Sequence, residues 1–365
     1  MIKKTKNNLK RQSRGKLRTK KPIYAKYGYY SALILISLIA ISYAVVYTLH
    51  INILGNFGAA HTTTNTSGSY QNLANTSRVL SSNTINQTIL AAQVVPKTGY
   101  TLSFKWGDSV HKLVEAGALN PSNLSILLNN SKEPLTPVEK AILNGTYTGY
   151  VQFNSTNVEF VQLVLWSLGI NNNNTIVNNG PIINASIPYA NSINNNVTLK
   201  QKLNQNVTPQ WVASRYFAST GGYGPIGKLQ LGMLNILSIS PSEQIIADYT
   251  AENSYRPCCN NPTAFPDCNH GAAALGLIEL LASQGANQSQ IFTAVKYFNQ
   301  YQFPQQYSEI AAYFDSHGKN YSQVSSNEVM GYNFSSLSGY ENAHQYLIKN
   351  GILAPPSGSS ASCGA

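Results

Sequence analysis

The sequence predicts a mostly α-helical fold: a single N-terminal transmembrane helix, a disordered stalk, and a helical extracytoplasmic domain with at most a small β element. Three observations predict it. Residues 27–49 run for 23 positions without a charge, behind a segment, 1–26, that holds 11 Lys or Arg and no acid. Residues 51–95 are polar, nearly uncharged and poor in large apolar side chains. Beyond them, apolar positions recur at helical spacing behind recognisable caps.

The apolar run is long enough to cross a bilayer, because about 20 residues at ~1.5 Å each cover a ~30 Å hydrocarbon core. A cleaved signal peptide would have a shorter apolar region ending in small residues. Here the run ends in His50, Ile51 and Asn52. Basic flanks stay cytoplasmic, so the expected topology puts the N-terminus in the cytoplasm and the C-terminal domain outside a cell membrane crossed once. The resulting division is a basic tail (1–26), a transmembrane helix (27–50), a Ser/Thr/Asn-rich stalk (51–95), a helical subdomain with an Asn-rich loop (96–205), a Cys/His-containing helical subdomain (206–354) and a flexible tail (355–365).

Within the folded part, Asp108 is placed to cap a helix carrying Val110, Leu113 and Val114 on one face. Thr136 before Pro137 opens a second, and residues 157–168 carry a stripe of Phe160, Leu163, Val164 and Leu168. Ser240 and Glu243 have capping-box spacing. Helical periodicity then covers 270–283, 289–298, 306–314 and 340–349, with Gly285, Gly318 and Gly351 as stops. Residues 170–205 lose all periodicity and read as a long loop or a seam. Residues 98–103 and 150–153 alternate weakly and supply the β element. Trp106, Trp166 and Trp211 read as core aromatics, and Glu279, alone among leucines, as a solvated or helix-edge residue.

The formal charge of +11 belongs to the tail; the rest of the chain carries 14 basic and 14 acidic residues. A bilayer is therefore the expected partner of the basic end, and no nucleic acid is expected. An envelope protein or a glycan is the candidate partner of the outer part. Sequons occur at Asn65, Asn75, Asn86, Asn123, Asn129, Asn144, Asn154, Asn173, Asn184, Asn196, Asn206, Asn287, Asn320 and Asn333, all beyond the apolar run, and mark candidate glycosylation positions. So few carboxylates suit an acidic exterior, since little charge changes as pH falls.

Reactive residue types concentrate in RPCCNNPTAFPDCNH, which puts Cys258, Cys259, Cys268 and His270 just before an apolar helix. Three sulfurs and an imidazole suit zinc or copper, because thiolates select soft ions. The helix start would favour a thiolate at Cys268. An oxidising exterior favours a structural disulfide instead. An adjacent Cys258–Cys259 bridge is strained, which leaves Cys268 with one of the pair and Cys363 with the other, or Cys268 with Cys363. Cys268 could also act as an attacking thiol in an oxidoreductase or metal chaperone, with Cys258 or Cys259 resolving. A hydrolase would need a base such as His270 within reach; His344, His317 and His111 are unplaced. No catalytic residue is assigned: Walker, GxGxxG, HExxH and GxSxG spacings are absent, and Gly221, Gly222 and Gly224 form only a glycine turn. Arg256 and Asp267 are further charged residues beside the cluster.

The segment YRPCCNNPTAFPDCNHGAAALGLIELLASQGA, preceded by FASTGG and LWSLGI, resembles a family of membrane-anchored or secreted archaeal and bacterial proteins. That resemblance implies an envelope location and no particular activity. More loosely, cysteines leading into a helix pair are similar to PCYCGC-motif proteins and to the thiol domains of cytochrome c maturation, which implies metal or thiol handling. The Cys-Cys pair departs from their Cys-X-Cys and Cys-X-X-Cys series.

Overall fold

The computed structural model describes residues 92–353 except 221, 222, 224 and 225, all within one compact unit, Asn65–Ala365. The chain runs β1 (Tyr100–Lys105), α1 (Ser109–Glu115), α2 (Pro121–Asn130), α3 (Pro137–Leu143), β2 (Tyr150–Phe153) and α4 (Val158–Asn171). Four helices follow: α5 (Thr175–Asn178), α6 (Pro181–Asn195), α7 (Val197–Leu203) and α8 (Pro209–Thr220). The C-terminal part holds α9 (Pro241–Glu252), α10 (Asn269–Ala282), α11 (Gln288–Gln302), α12 (Pro304–Ser316), a 3₁₀ turn (Tyr321–Gln323), α13 (Ser326–Met330), α14 (Tyr332–Ser335) and α15 (Leu337–Lys349).

No helix among the described residues is long and apolar enough to cross a membrane. The longest, α6 and α11, have 15 residues, about 22 Å against a ~30 Å hydrocarbon core. The expected fold class is corrected accordingly: the described fold is a helical domain with a two-stranded sheet, and a transmembrane helix is no part of it. The expected spanning segment 27–50, the basic tail and the tail 355–365 lie outside the described residues, as does the stalk up to residue 91. Val94, which the expected stalk included, is already fully buried in the core.

The centre is the crossing of α4 and α10. Both are apolar around most of their circumference, as a helix surrounded by other elements must be; every residue of α10 from Gly271 to Ala282 is buried. The two backbones touch at Gly169 and Gly276. A Cβ on Gly169 would lie 2.5 Å from the Gly276 nitrogen and closer still to the Ala272 carbonyl, and one on Gly276 would strike the Leu165 carbonyl. Around this pair, α1 packs on α3 and α4, α9 and α11 pack on α10, and α12 and α14 pack on α15.

The sheet is antiparallel, with Tyr100 opposite Phe153, Thr101 opposite Gln152 and an irregularity before Lys105. The Gln284 side chain acts as a surrogate strand for Lys105, accepting from its N–H at 3.0 Å and donating to its carbonyl at 2.9 Å.

Two of the sequence-predicted caps form in full: Thr136 with Glu139 and Ser240 with Glu243 make reciprocal capping boxes. Asp108 does not bond the start of α1; its carboxylate pairs with Lys112 at 3.0 Å. Gly285, Gly318 and Gly351 adopt positive φ after their helices, a conformation glycine reaches without strain. Trp106 and Trp166 are core, whereas Trp211 is half-buried with Arg215 4.9 Å above its ring.

The expected loop at 170–205 is instead α5, α6 and α7. Asparagine caps start two of them, Asn174 accepting from the Val177 N–H and Asn196 from the Leu199 N–H. Pro181 opens α6, whose buried face is Ile182, Ile183, Ser186 and Ala190. Asn obscures helical periodicity when it serves as cap and surface residue together.

Glu279 is not solvated. It is fully buried at the α4–α10 contact, accepting from Asn172 Nδ2 at 2.8 Å and from Asn174 Nδ2. Burial pushes its carboxyl well up, the Asn172 hydrogen bond opposes this, and the charge of Asp248 adds to it.

Candidate metal centre

The loop between α9 and α10 is built around Arg256. This side chain is fully buried, and all its N–H groups are used. Nη1 donates to the carbonyls of Asn261 (3.0 Å) and Pro262 (3.1 Å), and Nη2 donates to the Phe265 carbonyl (3.2 Å) and to Asp267 Oδ1 (2.6 Å). Nε donates to Cys268 Sγ at 3.2 Å. A guanidinium can serve five acceptors at once because its donors are fixed in a plane. Asn261 Nδ2 holds the other oxygen of Asp267 at 2.7 Å. Gly271 leaves the room: a Cβ there would lie 2.5 Å from Arg256 Cζ.

Cys268 is the N-cap of α10 and also accepts from the Gly271 N–H at 3.4 Å. Its sulfur therefore faces two N–H donors and the positive end of a helix. His270 follows in the first turn, its ring against Phe303 with centroids 4.7 Å apart. Cys259 and Asn260 are tied to α15, the Leu337 N–H donating to the Cys259 carbonyl (2.9 Å) and the Ser338 N–H to the Asn260 side-chain Oδ1 (2.9 Å).

These constraints bring Cys258 Sγ, Cys268 Sγ and a His270 ring nitrogen within 4.8 Å of one another. Cys259, Cys268 and an Asp267 oxygen form a second such set. A tetrahedral ion with bonds of about 2.3 Å to sulfur and 2.0–2.1 Å to nitrogen wants donors about 3.5–3.8 Å apart. The donor types, two thiols and an imidazole within 4.8 Å of one another, are compatible with a soft metal ion.

The Cys268 thiol is pushed down, first by hydrogen bonds from the Cys258 and Cys259 thiols, then by His270 and by the charge of Arg256, against the effect of burial. Cys258 is pushed up, by its hydrogen bonds to Cys259 and Cys268 and by burial.

The expected disulfide is not formed among the described residues: Cys258, Cys259 and Cys268 are free. The Cys268 sulfur is directed at Arg256 Nε and the Gly271 N–H. Cys363 lies outside the described residues. The other histidines among the described residues are engaged elsewhere, His111 with Glu115 (3.4 Å), His317 with the Tyr313 carbonyl (2.7 Å) and His344 with Glu309 (2.7 Å). Gly221, Gly222 and Gly224 lie outside the described residues.

The sequons have a structural use of their own. Asn144, Asn154 and Asn320 each accept from the hydroxyl of their own triplet's Ser or Thr, and Asn196, Asn287 and Asn320 cap helices. Asn65, Asn75 and Asn86 lie outside the described residues.

Sequence reasoning missed the burial of Arg256 and the part played by Gly271. The one available signal was a lone arginine two residues before the thiols, in a chain with few charges. Comparison with protein-family models, with curated proteins and with solved structures gives no match.

Proposed function

We propose that this domain binds and carries a thiophilic metal ion, zinc or cuprous copper, at Cys258, Cys268 and His270. The observation that carries this reading is the convergence of two sulfurs and one imidazole within 4.8 Å, with Cys268 already held as a hydrogen-bonded sulfur by Arg256 and Gly271. In this reading Cys268 is the central thiolate, Cys258 the second and His270 a neutral nitrogen donor. Arg256 offsets the negative charge of the thiolates, and Asp267 orients Arg256. The donors are only half-buried, so the ion would stay within reach of solvent and of an acceptor, which favours carriage over a sealed structural role.

The test is reconstitution of the reduced full chain with zinc in one arm and cuprous copper in another, followed by desalting, elemental analysis and thiol titration. One ion per chain, lost in Cys268→Ser, is the expected result. Four titratable thiols with no retained metal in either arm would sink the reading.

A second reading, a thiol oxidoreductase, is favoured by the depressed Cys268 thiol beside two others. The Cys268 thiolate would attack a substrate disulfide and release one thiolate. Cys258 would then lose its proton, attack the mixed disulfide and release the second thiol, leaving a Cys258–Cys268 bond. Trapping of a mixed disulfide at Cys268 in Cys258→Ser tests it; no adduct with oxidised glutathione would dismiss it.

A further inference from the structure

Cys268 belongs to two donor sets at once. On one side stand Cys258 and His270; on the other stand Cys259 and Asp267, with each three-atom set closed within 4.8 Å. The four groups Cys258, Cys259, Cys268 and His270 do not close as one set at that distance, so Cys259 is not arranged as a fourth ligand of a tetrahedral site. We propose, on the footing of the metal reading above, that Cys259 is the exchange ligand through which a bound ion enters and leaves, passing between the two sets while Cys268 keeps hold of it.

The geometry gives the two sets different strengths. Two sulfurs and an imidazole are soft donors; replacing the imidazole by a carboxylate oxygen makes the second set harder and weaker for a thiophilic ion. Asp267 cannot swing freely, because Arg256 holds one of its oxygens at 2.6 Å and Asn261 the other at 2.7 Å. Each oxygen keeps a second lone pair for a metal. The Cys259 backbone is held by Leu337, while its sulfur lies 4.0 Å from the Asn261 carbonyl and shares hydrogen bonds with the Cys258 and Cys268 thiols. A half-buried thiol on a fixed backbone can exchange one of these thiol contacts for a bond to the ion by side-chain rotation alone.

The step balances without electron transfer. Cys259 gives its proton to water as its sulfur binds, making the ion four-coordinate. His270 then dissociates, Cys258 takes up a proton as its bond breaks, and the ion rests on Cys268, Cys259 and Asp267, from which an external chelator removes it.

The experiment uses the reduced, zinc-loaded full chain and excess 4-(2-pyridylazo)resorcinol as acceptor. Cys259→Ser is expected to hold zinc within about threefold of the wild-type affinity yet to release it about tenfold or more slowly. Cys258→Ser is expected to lose more than about 100-fold in affinity, beyond the loss typical of an outer-shell change. Cys259→Ala should repeat the Cys259→Ser result if the thiol itself matters. An affinity loss in Cys259→Ser equal to that in Cys258→Ser would make Cys259 a permanent ligand and overturn the proposal. So would an unchanged release rate. Should the wild type take up no zinc, the metal reading falls and the exchange route with it, a result distinct from either of these.

Discussion

Gly271 and Arg256 occupy one another's space: the guanidinium lies where a side chain on residue 271 would be, with Cζ 2.5 Å and Nη2 2.6 Å from an added Cβ. Glycine costs about 1 kcal/mol relative to alanine inside a helix. At this place it lets a buried cation reach the cap of α10 and the sulfur of Cys268.

Gly271→Ala reverses the usual sign of a helical glycine replacement. The gain in helix propensity is outweighed by overpacking, which typically costs about 1–3 kcal/mol. Displacement of Arg256 Nε should weaken metal binding by about 10- to 100-fold. Thermal unfolding and zinc competition check the two effects; a variant more stable than wild type with unchanged zinc affinity refutes both.

Arg256→Lys is expected to be nearly as damaging as Arg256→Met. An ammonium cannot serve five acceptors spread over a plane, and either change leaves Asp267 without its guanidinium partner, with only Asn261 on its other oxygen. Breaking a buried pair by removing one member costs about 3–5 kcal/mol; exposure of Asp267 to about a third places the loss at the lower end. A denaturant midpoint for Arg256→Lys equal to wild type would show that charge alone suffices.

Gly276→Ala forces α4 and α10 apart at the Leu165 carbonyl. Because both helices are core elements, the separation opens voids along the whole contact, and a loss above about 3 kcal/mol is expected. Circular dichroism melting decides this, with Gly285→Ala, a positive-φ position with open space around it, as the milder control.

The carboxyls of Glu133, Glu159 and Glu279 are all displaced upward. Glu133 is raised to about 7, first by burial and then by Glu159 and Glu139; burial likewise leads at Glu159 and Glu279. A raised folded pKa means that the folded state holds the proton more tightly. The associated stability is present below the unfolded value near 4.5 and is lost as pH rises through the folded value. With Cys268→Ser removing the opposing effect of the depressed Cys268 thiol, the metal-free chain should therefore melt at a higher temperature at pH 4 than at pH 8, apart from a small opposing effect of Glu243, which is lowered by its bonds to Ser240. Glu133→Gln should raise the midpoint at pH 8 by about 1–3 °C, solvent screening limiting the gain, and do little at pH 4. No gain in midpoint at pH 8 from Glu133→Gln would contradict the assignment.

Much of the helical order is legible residue by residue. Thr136 with Glu139 and Ser240 with Glu243 announce their helices, because a cap joins groups three positions apart. The apolar run after His270, broken only by Glu279, announces an apolar helix, and the crowding of Cys258, Cys259, Cys268 and His270 announces a reactive loop. Asn-rich caps hide α5 to α7 in what looks like loop, since capping residues and surface residues are of the same type there.

The sequence by itself determined the helical class of the described domain, its Thr136 and Ser240 caps, its glycine stops and the location of its thiols, since each of these depends on groups within a few residues of one another. Only the tertiary structure decided that Glu279 is buried against Asn172 and Asn174, more than a hundred residues away, and that Gly169 and Gly276 let two backbones touch. It alone set the Cys268 sulfur toward Arg256 and Gly271 while leaving the three described cysteines free. Such contacts are chosen by how surfaces fit after the chain has folded, and residues that meet only in space leave no periodic mark along it.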